Sequence, residues 1–88
     1  MNSRASPRFW RLYNRLSRRE QHRIRKGYQI WKTNPNAPGL RFKRVSENEP
    51  IYSVRVSDDY RALGLVEGDT IIWFWIGRHD EYERILNK

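Results

Sequence analysis

The sequence predicts an α+β domain in which an N-terminal helical hairpin packs on a four-stranded antiparallel meander sheet, followed by a short C-terminal helix or tail. Apolar residues recur at helical spacing up to residue 34 and then alternate, as in half-buried strands, between residues 40 and 76. With 88 residues, 38% of them hydrophobic, the chain can build one core and not a second. Residues 1–88 are therefore one domain, with the hairpin at about 6–34, the sheet at about 40–76 and a last segment at 77–88.

The helical hairpin is predicted from its start and stop signals. Ser6 stands before a proline, which is typical of a helix N-cap, and aromatic residues follow at helical spacing. Ser17 with Glu20 three positions later is a capping-box pattern, which predicts that a second helix begins there. Asn34 precedes a proline and ends that helix.

Alternating apolar residues predict four strands, at residues 40–45, 51–56, 60–66 and 70–76. A turn at Gly68 joins the last two strands. The register of this strand pair stays open, since one register places Arg61 on the face of Trp73 and Trp75. A slip of one residue places Arg61 beside Phe74 instead.

The net charge of +8 is unevenly distributed along the chain. Residues 1–32 hold ten Lys and Arg against Glu20 alone, whereas residues 33–88 hold eight basic and nine acidic residues. A basic surface of this kind indicates a polyanionic partner such as RNA, although a solvated helix surface remains the alternative. The candidate RNA-binding residues are Arg15, Arg18, Arg19, Arg23, Lys26 and Arg78.

Composition also excludes several classes of protein. The chain has no cysteine, so it has neither a disulfide framework nor a thiolate metal site. Its longest apolar run, residues 71–76, is far shorter than the roughly 20 residues that a membrane span needs. The basic N-terminus lacks the apolar segment of a signal peptide. We expect a soluble cytoplasmic protein that uses no metal or cofactor and contacts no membrane.

The order of the elements and several local patterns resemble the RelE/ParE superfamily of toxins from bacterial toxin-antitoxin systems. The resemblance runs from about residue 9 to residue 86. Its carriers are the hairpin that ends in Asn34-Pro35, the segment Leu40-Arg41-Phe42-Lys43, the strand Tyr52-Ser53-Val54-Arg55-Val56 with Asp59-Tyr60-Arg61 after it, and the ending Gly77-Arg78-His79 with Tyr82. The fold implied by the resemblance is two helices packed on a twisted antiparallel sheet, as the periodicity predicts independently.

The resemblance implies a function and a set of site residues. Many RelE-like members are metal-independent endoribonucleases that cut mRNA on the ribosome through attack of the 2′-hydroxyl on the adjacent phosphate. By resemblance, Arg61 binds the scissile phosphate and His79 is the general acid. Arg55 and Lys43 add positive charge, and Tyr82 stacks on or orients a base. The implied partners are a cognate antitoxin, the ribosome and mRNA.

Some positions depart from the family pattern. Some members carry a general base just before the first strand, where this chain has Ala37-Pro38-Gly39, so the candidates for the base are His79, Lys43 and Asp59. One extra residue separates Arg55 from Arg61, which leaves the direction of Arg55 open. Arg61 itself has a simpler interpretation, as a strand arginine paired with Asp58 or Asp59.

Two other functions stay open at this point. ParE-like members share the fold, lack the nuclease residues and inhibit DNA gyrase instead. The third interpretation is a basic RNA-binding module without catalysis, whose arginine-rich helices carry the whole function.

Overall fold

The computed structural model describes residues 1–87 and confirms the α+β fold class. The elements in chain order are β1 (Asn2–Ala5), α1 (Pro7–Asn14), α2 (Arg18–Thr33), β2 (Lys43–Arg44), β3 (Ile51–Arg55), β4 (Tyr60–Glu67), β5 (Thr70–Arg78) and α3 (His79–Leu86). Within residues 1–87 no helix has the length and apolar character needed to cross a membrane.

Both predicted helix starts are confirmed. The Ser6 side chain accepts a hydrogen bond from the backbone N–H of Phe9 at 3.2 Å. Ser17 and Glu20 form the complete capping box of α2, with each side chain bonded to the other residue's backbone N–H. These bonds satisfy backbone donors that a helix N-terminus otherwise leaves free.

The sheet has five strands in the order β1-β5-β4-β3-β2, and not the four that the sequence predicts. Strands β2 to β5 form the predicted antiparallel meander, whereas β1 pairs in parallel with β5. The four residues of β1 show no apolar alternation, so the sequence gives no sign of a strand there. Backbone hydrogen bonds to β5 hold β1 in the sheet. The N–H of Asn2 donates to Asp69 at 2.7 Å, and that of Ser6 donates to Trp73 at 2.8 Å.

The first predicted strand is shorter than expected. Only Lys43–Arg44 pairs with β3, because the backbone before it turns: φ is 88° at Gly39 and 48° at Arg41. Between these two residues Leu40 is buried in the core, and its carbonyl accepts a hydrogen bond from the N–H of Arg55 at 2.7 Å. The segment before β2 is therefore attached to β3 by one backbone bond rather than by a ladder.

The two faces of the sheet carry different cores. On the helix face, which α1 and α2 cover, Val54, Ala62 and Ile76 pack against aromatic residues of both helices. On the opposite face, which we name the α3 face, Leu63 and Trp75 pack against α3. The helix face holds most of the buried apolar residues, so it is the main core.

A β-bulge in β5 determines which tryptophan faces which side. Leu63 pairs with Trp75, the next residue of β4 pairs with Trp73, and Phe74 is left without a partner. Trp73 therefore lies in the helix-face core, 5.3 Å from the ring centroid of Trp31, and Trp75 lies on the α3 face. The sequence expectation that both tryptophans share one face is wrong, because it assumes an unbroken period of two.

Helix α2 approaches the sheet closely at Gly27. A Cβ atom added to Gly27 would lie 1.9 Å from the carbonyl oxygen of Val56. The absence of a side chain thus allows backbone-to-backbone contact just after β3. This contact fixes the height of α2 above the strand that also carries Arg55.

Candidate functional site

A cavity of about 80 Å³ opens on the α3 face, and we name it the basic cavity. It is lined by Arg41, Lys43, Ser53, Arg55, Arg61, His79, Tyr82 and Glu83. All five residues that the sequence analysis proposes as catalytic are in this set. Four separate elements and the loop before β2 contribute to the lining.

Strand pairing explains why these residues meet. Arg55 of β3 is the direct partner of Arg61 of β4, and Arg61 is in turn the partner of Gly77 of β5. Lys43 of β2 is paired with Ser53, two residues before Arg55. Because side chains alternate between the faces of a strand, paired residues and those two apart share a face.

Arg61 lies partly buried in the cavity wall. One guanidinium nitrogen, Nη1, donates to the carbonyl oxygens of Ser57, Asp58 and Tyr60 at 3.1 to 3.2 Å. Within residues 1–87 no hydrogen bond occupies Nε or Nη2, so the edge of the guanidinium that can bind two oxygens at once is free.

Burial lowers the pKa of Arg61, and the positive charges of Arg55 and Arg41 lower it further. An arginine stays protonated under these conditions, so Arg61 bears the cost of burial and, in addition, repulsion from the neighbouring cations. A bound anion would relieve that repulsion. The direction of the shift therefore agrees with a site built to receive negative charge.

Arg55 points into the cavity, which resolves its direction. Its Nη2 lies 2.7 Å from the Asp58 carboxylate, and its Nη1 lies 3.5 Å from the carbonyl oxygen of Gly39. The simpler interpretation of Arg61 is therefore wrong with respect to Asp58, since Arg55 takes that carboxylate and Arg61 takes backbone oxygens. Asp58 is 88% exposed, so this ion pair is screened by water and easily exchanged for another anion.

Arg41 is a fourth cation in the cavity that the sequence analysis did not select. Its positive φ is uncommon for a residue with a side chain and costs of order 1 kcal/mol or more. The buried Leu40 side chain holds the loop in this conformation. No sequence pattern signals this position, because Arg41 reaches the cavity through the turn of the backbone before β2.

His79 begins α3 at the mouth of the cavity. Its backbone N–H donates to the carbonyl oxygen of Asp59 at 2.8 Å, which attaches α3 to the turn before β4. Its Nε2 lies 3.0 Å from Oε1 of Glu83, one helical turn later. Both side chains are about half exposed, at 51% and 49%.

Tyr82 forms the floor of the cavity beside His79. Its ring is only 6% exposed, and its hydroxyl donates to Oγ of the buried Ser53 at 3.0 Å. The ring of His79 lies nearly parallel to it, with the centroids 6.4 Å apart. The expectation that Tyr82 stacks on an RNA base does not fit this burial, because the face of its ring is already covered.

The candidate RNA-binding residues lie outside the lining of the cavity, and all of them are exposed: Arg15, Arg18, Arg19, Arg23, Lys26 and Arg78. Arg78 lies with its guanidinium carbon 5.9 Å from the ring centroid of Tyr60. The Tyr60 hydroxyl donates to the carboxylate of Glu20 in the first turn of α2. Arg78 therefore stands between the basic start of α2 and His79.

Among residues 1–87 no group of three or more His, Asp or Glu side chains is arranged to hold a metal ion. The chemistry that the basic cavity itself can support is acid-base and electrostatic. Its lining has four cations, an imidazole and one carboxylate. Such a set can bind a phosphate, stabilise added negative charge on it and move protons at its edge.

A second, larger depression lies on the other side of the sheet, where β1, α1 and α2 meet. This hairpin groove has a volume of about 260 Å³ and is lined mainly by apolar and aromatic side chains, with Arg4 and Arg25 among them. Trp10 stands in its wall and is 49% exposed. The two buried tryptophans of the groove are Trp31 and Trp73. Among residues 1–87 their indole N–H groups have no hydrogen-bond partner.

Comparisons with known proteins agree with this architecture. The sequence profile of the ParE-like toxin domain matches residues 21–84. No curated protein matches the chain significantly in sequence.

Several solved structures share the fold. A YoeB/ParE toxin from Agrobacterium tumefaciens is 18% identical with a TM-score of 0.67, over 90% of this chain and 99% of that one. The toxin-antitoxin complex RelBE2 from Mycobacterium tuberculosis gives 16% and 0.70, over 89% and 96%. YafQ from E. coli gives 10% and 0.70, over 92% and 96%.

Proposed function

From the premise that this chain belongs to the ParE-like toxin domain family, we propose that it is the toxin of a toxin-antitoxin pair and acts as a metal-independent endoribonuclease on ribosome-bound mRNA. The observation that carries the proposal is the basic cavity, in which the free guanidinium edge of Arg61 and the imidazole of His79 converge. An inhibitor that acts only by binding has no need of an imidazole beside a phosphate site.

The proposed reaction is attack of a 2′-hydroxyl on the adjacent phosphorus. Negative charge builds up on the non-bridging oxygens as the new bond forms, and Arg61 can hold both of them through Nε and Nη2. Arg41, Arg55 and Lys43 add positive charge at the same place. His79 donates a proton to the leaving 5′ oxygen, which suits a group whose unperturbed titration lies near neutral pH.

The exposed basic residues of the hairpin would dock on ribosomal RNA. Ten Lys and Arg against one acidic residue in the first 32 positions give this region a net charge of +9. Contacts of this kind position a protein on a phosphate backbone and weaken as salt rises. They would bring the basic cavity to the decoding site without selecting a sequence.

An antitoxin would neutralise the protein by placing an amphipathic segment on it. The hairpin groove offers an apolar floor and the cations Arg4 and Arg25, which suit an acidic segment with large apolar side chains. RelBE2, one of the proteins with the same fold, is itself a toxin-antitoxin complex.

In vitro translation with wild type, Arg61→Ala and His79→Ala tests the proposal. Each substitution should slow mRNA cleavage by about 100-fold or more, because each removes a group that acts on the transition state. Arg44→Ala is the matched control, since Arg44 neighbours Lys43 but is exposed and bonded to the carbonyl oxygens of Ser46 and Glu47. Intact mRNA with the wild type, or undiminished cleavage by both variants, would refute the assignment.

Gyrase inhibition is the second candidate function, favoured by the ParE-like character of the family match. It predicts that the wild type blocks DNA supercoiling by purified gyrase while mRNA stays intact. It also predicts that Arg61→Ala and His79→Ala still arrest growth. A supercoiling assay run beside the translation assay separates the two functions.

A further inference from the structure

We infer that Glu83 is the general base that takes the 2′-hydroxyl proton, an inference that rests on the proposed ribonuclease function. Glu83 is the fifth residue of the last helix, four positions after His79 and far along the chain from Arg61. The structure brings it into the basic cavity beside His79.

The position of Glu83 suits a proton acceptor. One carboxylate oxygen, Oε1, contacts Nε2 of His79 at 3.0 Å. Among the described residues no hydrogen bond occupies the other oxygen, Oε2. The side chain is 49% exposed, so a substrate hydroxyl has access to it.

The other candidates for the base fit less well. The lysine ammonium group is a hydrogen-bond donor without an acceptor lone pair, so Lys43 suits phosphate binding better than proton removal. Asp59 does not line the cavity, and its contact with His79 is made through its backbone carbonyl. Asp58 is paired with Arg55. Of the carboxylates in residues 1–87, Glu83 is the one that lines the cavity.

The carboxylate of Glu83 lies among positively charged side chains. The charged or titratable groups that share the cavity with it are Arg41, Lys43, Arg55, Arg61, His79 and Tyr82, from the loop before β2, from β2, β3 and β4, and from α3 itself. Four of these are cations, namely Arg41, Lys43, Arg55 and Arg61. The same cations attract the phosphate, so the base and the reacting group are drawn to one place.

The two residues then divide the proton transfers of one reaction. The 2′ oxygen bonds to phosphorus as its proton passes to Glu83, and the bond from phosphorus to the 5′ oxygen breaks as His79 gives that oxygen a proton. The products are a 2′,3′-cyclic phosphate and a 5′-hydroxyl. Glu83 leaves the step protonated and His79 neutral, and both recover by exchange with water, to which both are about half exposed.

The test compares Glu83→Gln, Glu83→Ala and the control Glu81→Gln in single-turnover cleavage of end-labelled mRNA on programmed ribosomes. Glu81 is on the same helix but outside the cavity lining, and glutamine also serves at its cap position. We expect cleavage to fall about 100-fold or more in both Glu83 variants and to stay near wild type in the control. Cleavage by Glu83→Gln within about threefold of the control would overturn the inference.

A structural role for Glu83 gives a different pattern. If the residue only holds His79 in place, glutamine should keep that hydrogen bond, so Glu83→Gln should retain cleavage while Glu83→Ala loses it. A base role predicts an equal loss in both variants. Retention on ribosomes whose decoding-site codon carries 2′-deoxy sugars should be unchanged in both variants, because the effect is on the chemical step.

The inference and the proposed function fail in distinguishable ways. Cleavage that requires Arg61 and His79 but not Glu83 leaves the ribonuclease in place and removes only the base assignment. A wild-type protein that leaves mRNA intact removes both.

Discussion

The helix face and the α3 face of the sheet are built from alternate residues of the same strands, yet they differ in almost every physical property. Val54 packs into a tight aromatic core, whereas its neighbour Arg55 enters a charged cavity. Ala62 and Arg61 divide in the same way on β4. The core of the α3 face is small, with Leu63, Trp75 and Tyr82 as its buried residues. The helix face therefore supplies stability, and the α3 face can hold repelling cations because that stability is supplied elsewhere.

The largest expected effect is a loss of stability on the helix face. Gly27→Ala would force a methyl group against the Val56 carbonyl oxygen, so α2 must move away from the sheet. We expect the free energy of unfolding to fall by about 3 kcal/mol in urea titrations. The neighbouring exposed substitution Lys26→Ala should change it by less than about 0.5 kcal/mol. Equal effects of the two would show that the close contact is not a constraint.

The converse effect is expected at Arg61. Arg61→Lys keeps the charge but loses the planar edge that can bind two phosphate oxygens. We expect cleavage to fall about 100-fold while the free energy of unfolding changes by less than about 1 kcal/mol. Thermal melting and single-turnover cleavage of the same preparation measure both. A large loss of stability in Arg61→Lys would contradict the conclusion that the helix face supplies the stability of the domain.

The contact between Glu20 and Tyr60 links the helices to the end of the sheet that carries the cavity. Hydrogen bonds from Tyr60, first, and from the backbone of Ser17 lower the pKa of Glu20. A carboxyl group whose pKa is lowered by folding adds stability above its unfolded value, near 4.5, and that stability is lost as pH falls through the folded value.

The pKa of Tyr60 shifts in the opposite direction to that of Glu20. Burial, first, and the hydrogen bond to Glu20 raise the pKa of Tyr60 above 10.0. Its contribution is complete below pH 10.0 and is lost as pH rises through the folded value. We expect Tyr60→Phe to lower the free energy of unfolding by about 1 to 2 kcal/mol at pH 7. In a plot of melting temperature against pH, the decreases on the acid and alkaline sides should both become shallower in this variant. If the melting temperature of Tyr60→Phe depends on pH as that of the wild type does, the contact between Glu20 and Tyr60 does not contribute to stability.

The smallest effect is expected at Tyr82. Tyr82→Phe removes the hydroxyl that donates to the buried Ser53, which is 3% exposed. We expect a loss of about 1 kcal/mol, because Ser53 then loses its partner inside the protein. Chemical unfolding of Tyr82→Phe beside the double variant Tyr82→Phe with Ser53→Ala shows whether the unpartnered Ser53 hydroxyl carries the loss. A double variant less stable than the single one would argue against this explanation.

The parts of the fold that follow from local rules were predictable from the sequence. Capping residues locate both helix starts, and alternation locates β3, β4 and β5. Strand β1 was missed because backbone pairing with β5, and not its side chains, holds it. The bulge at Phe74 was missed because an inserted residue has no signature in an apolar run.

The candidate site was predictable to the extent that sheet pairing determines it. Arg55 and Arg61 meet because their strands pair, and a family resemblance identifies both. Arg41 and Glu83 were missed for different reasons. Arg41 reaches the cavity through a backbone turn at positive φ, and Glu83 reaches it through the direction in which α3 leaves the sheet. That direction depends on Tyr82 packing beside Trp75, which is a tertiary contact.

The unpaired residue of β5 has a consequence for how this chain can change. Phe74 interrupts the alternation of side chains along β5. Trp73 and Trp75 are two residues apart, yet they lie on opposite faces of the sheet and in different core layers. Deleting Phe74 would make Trp73 and Trp75 consecutive residues of an unbroken alternation, so the bulge would disappear and both tryptophans would keep their layers. The loss of that one codon would therefore leave inside and outside unchanged along the rest of the strand.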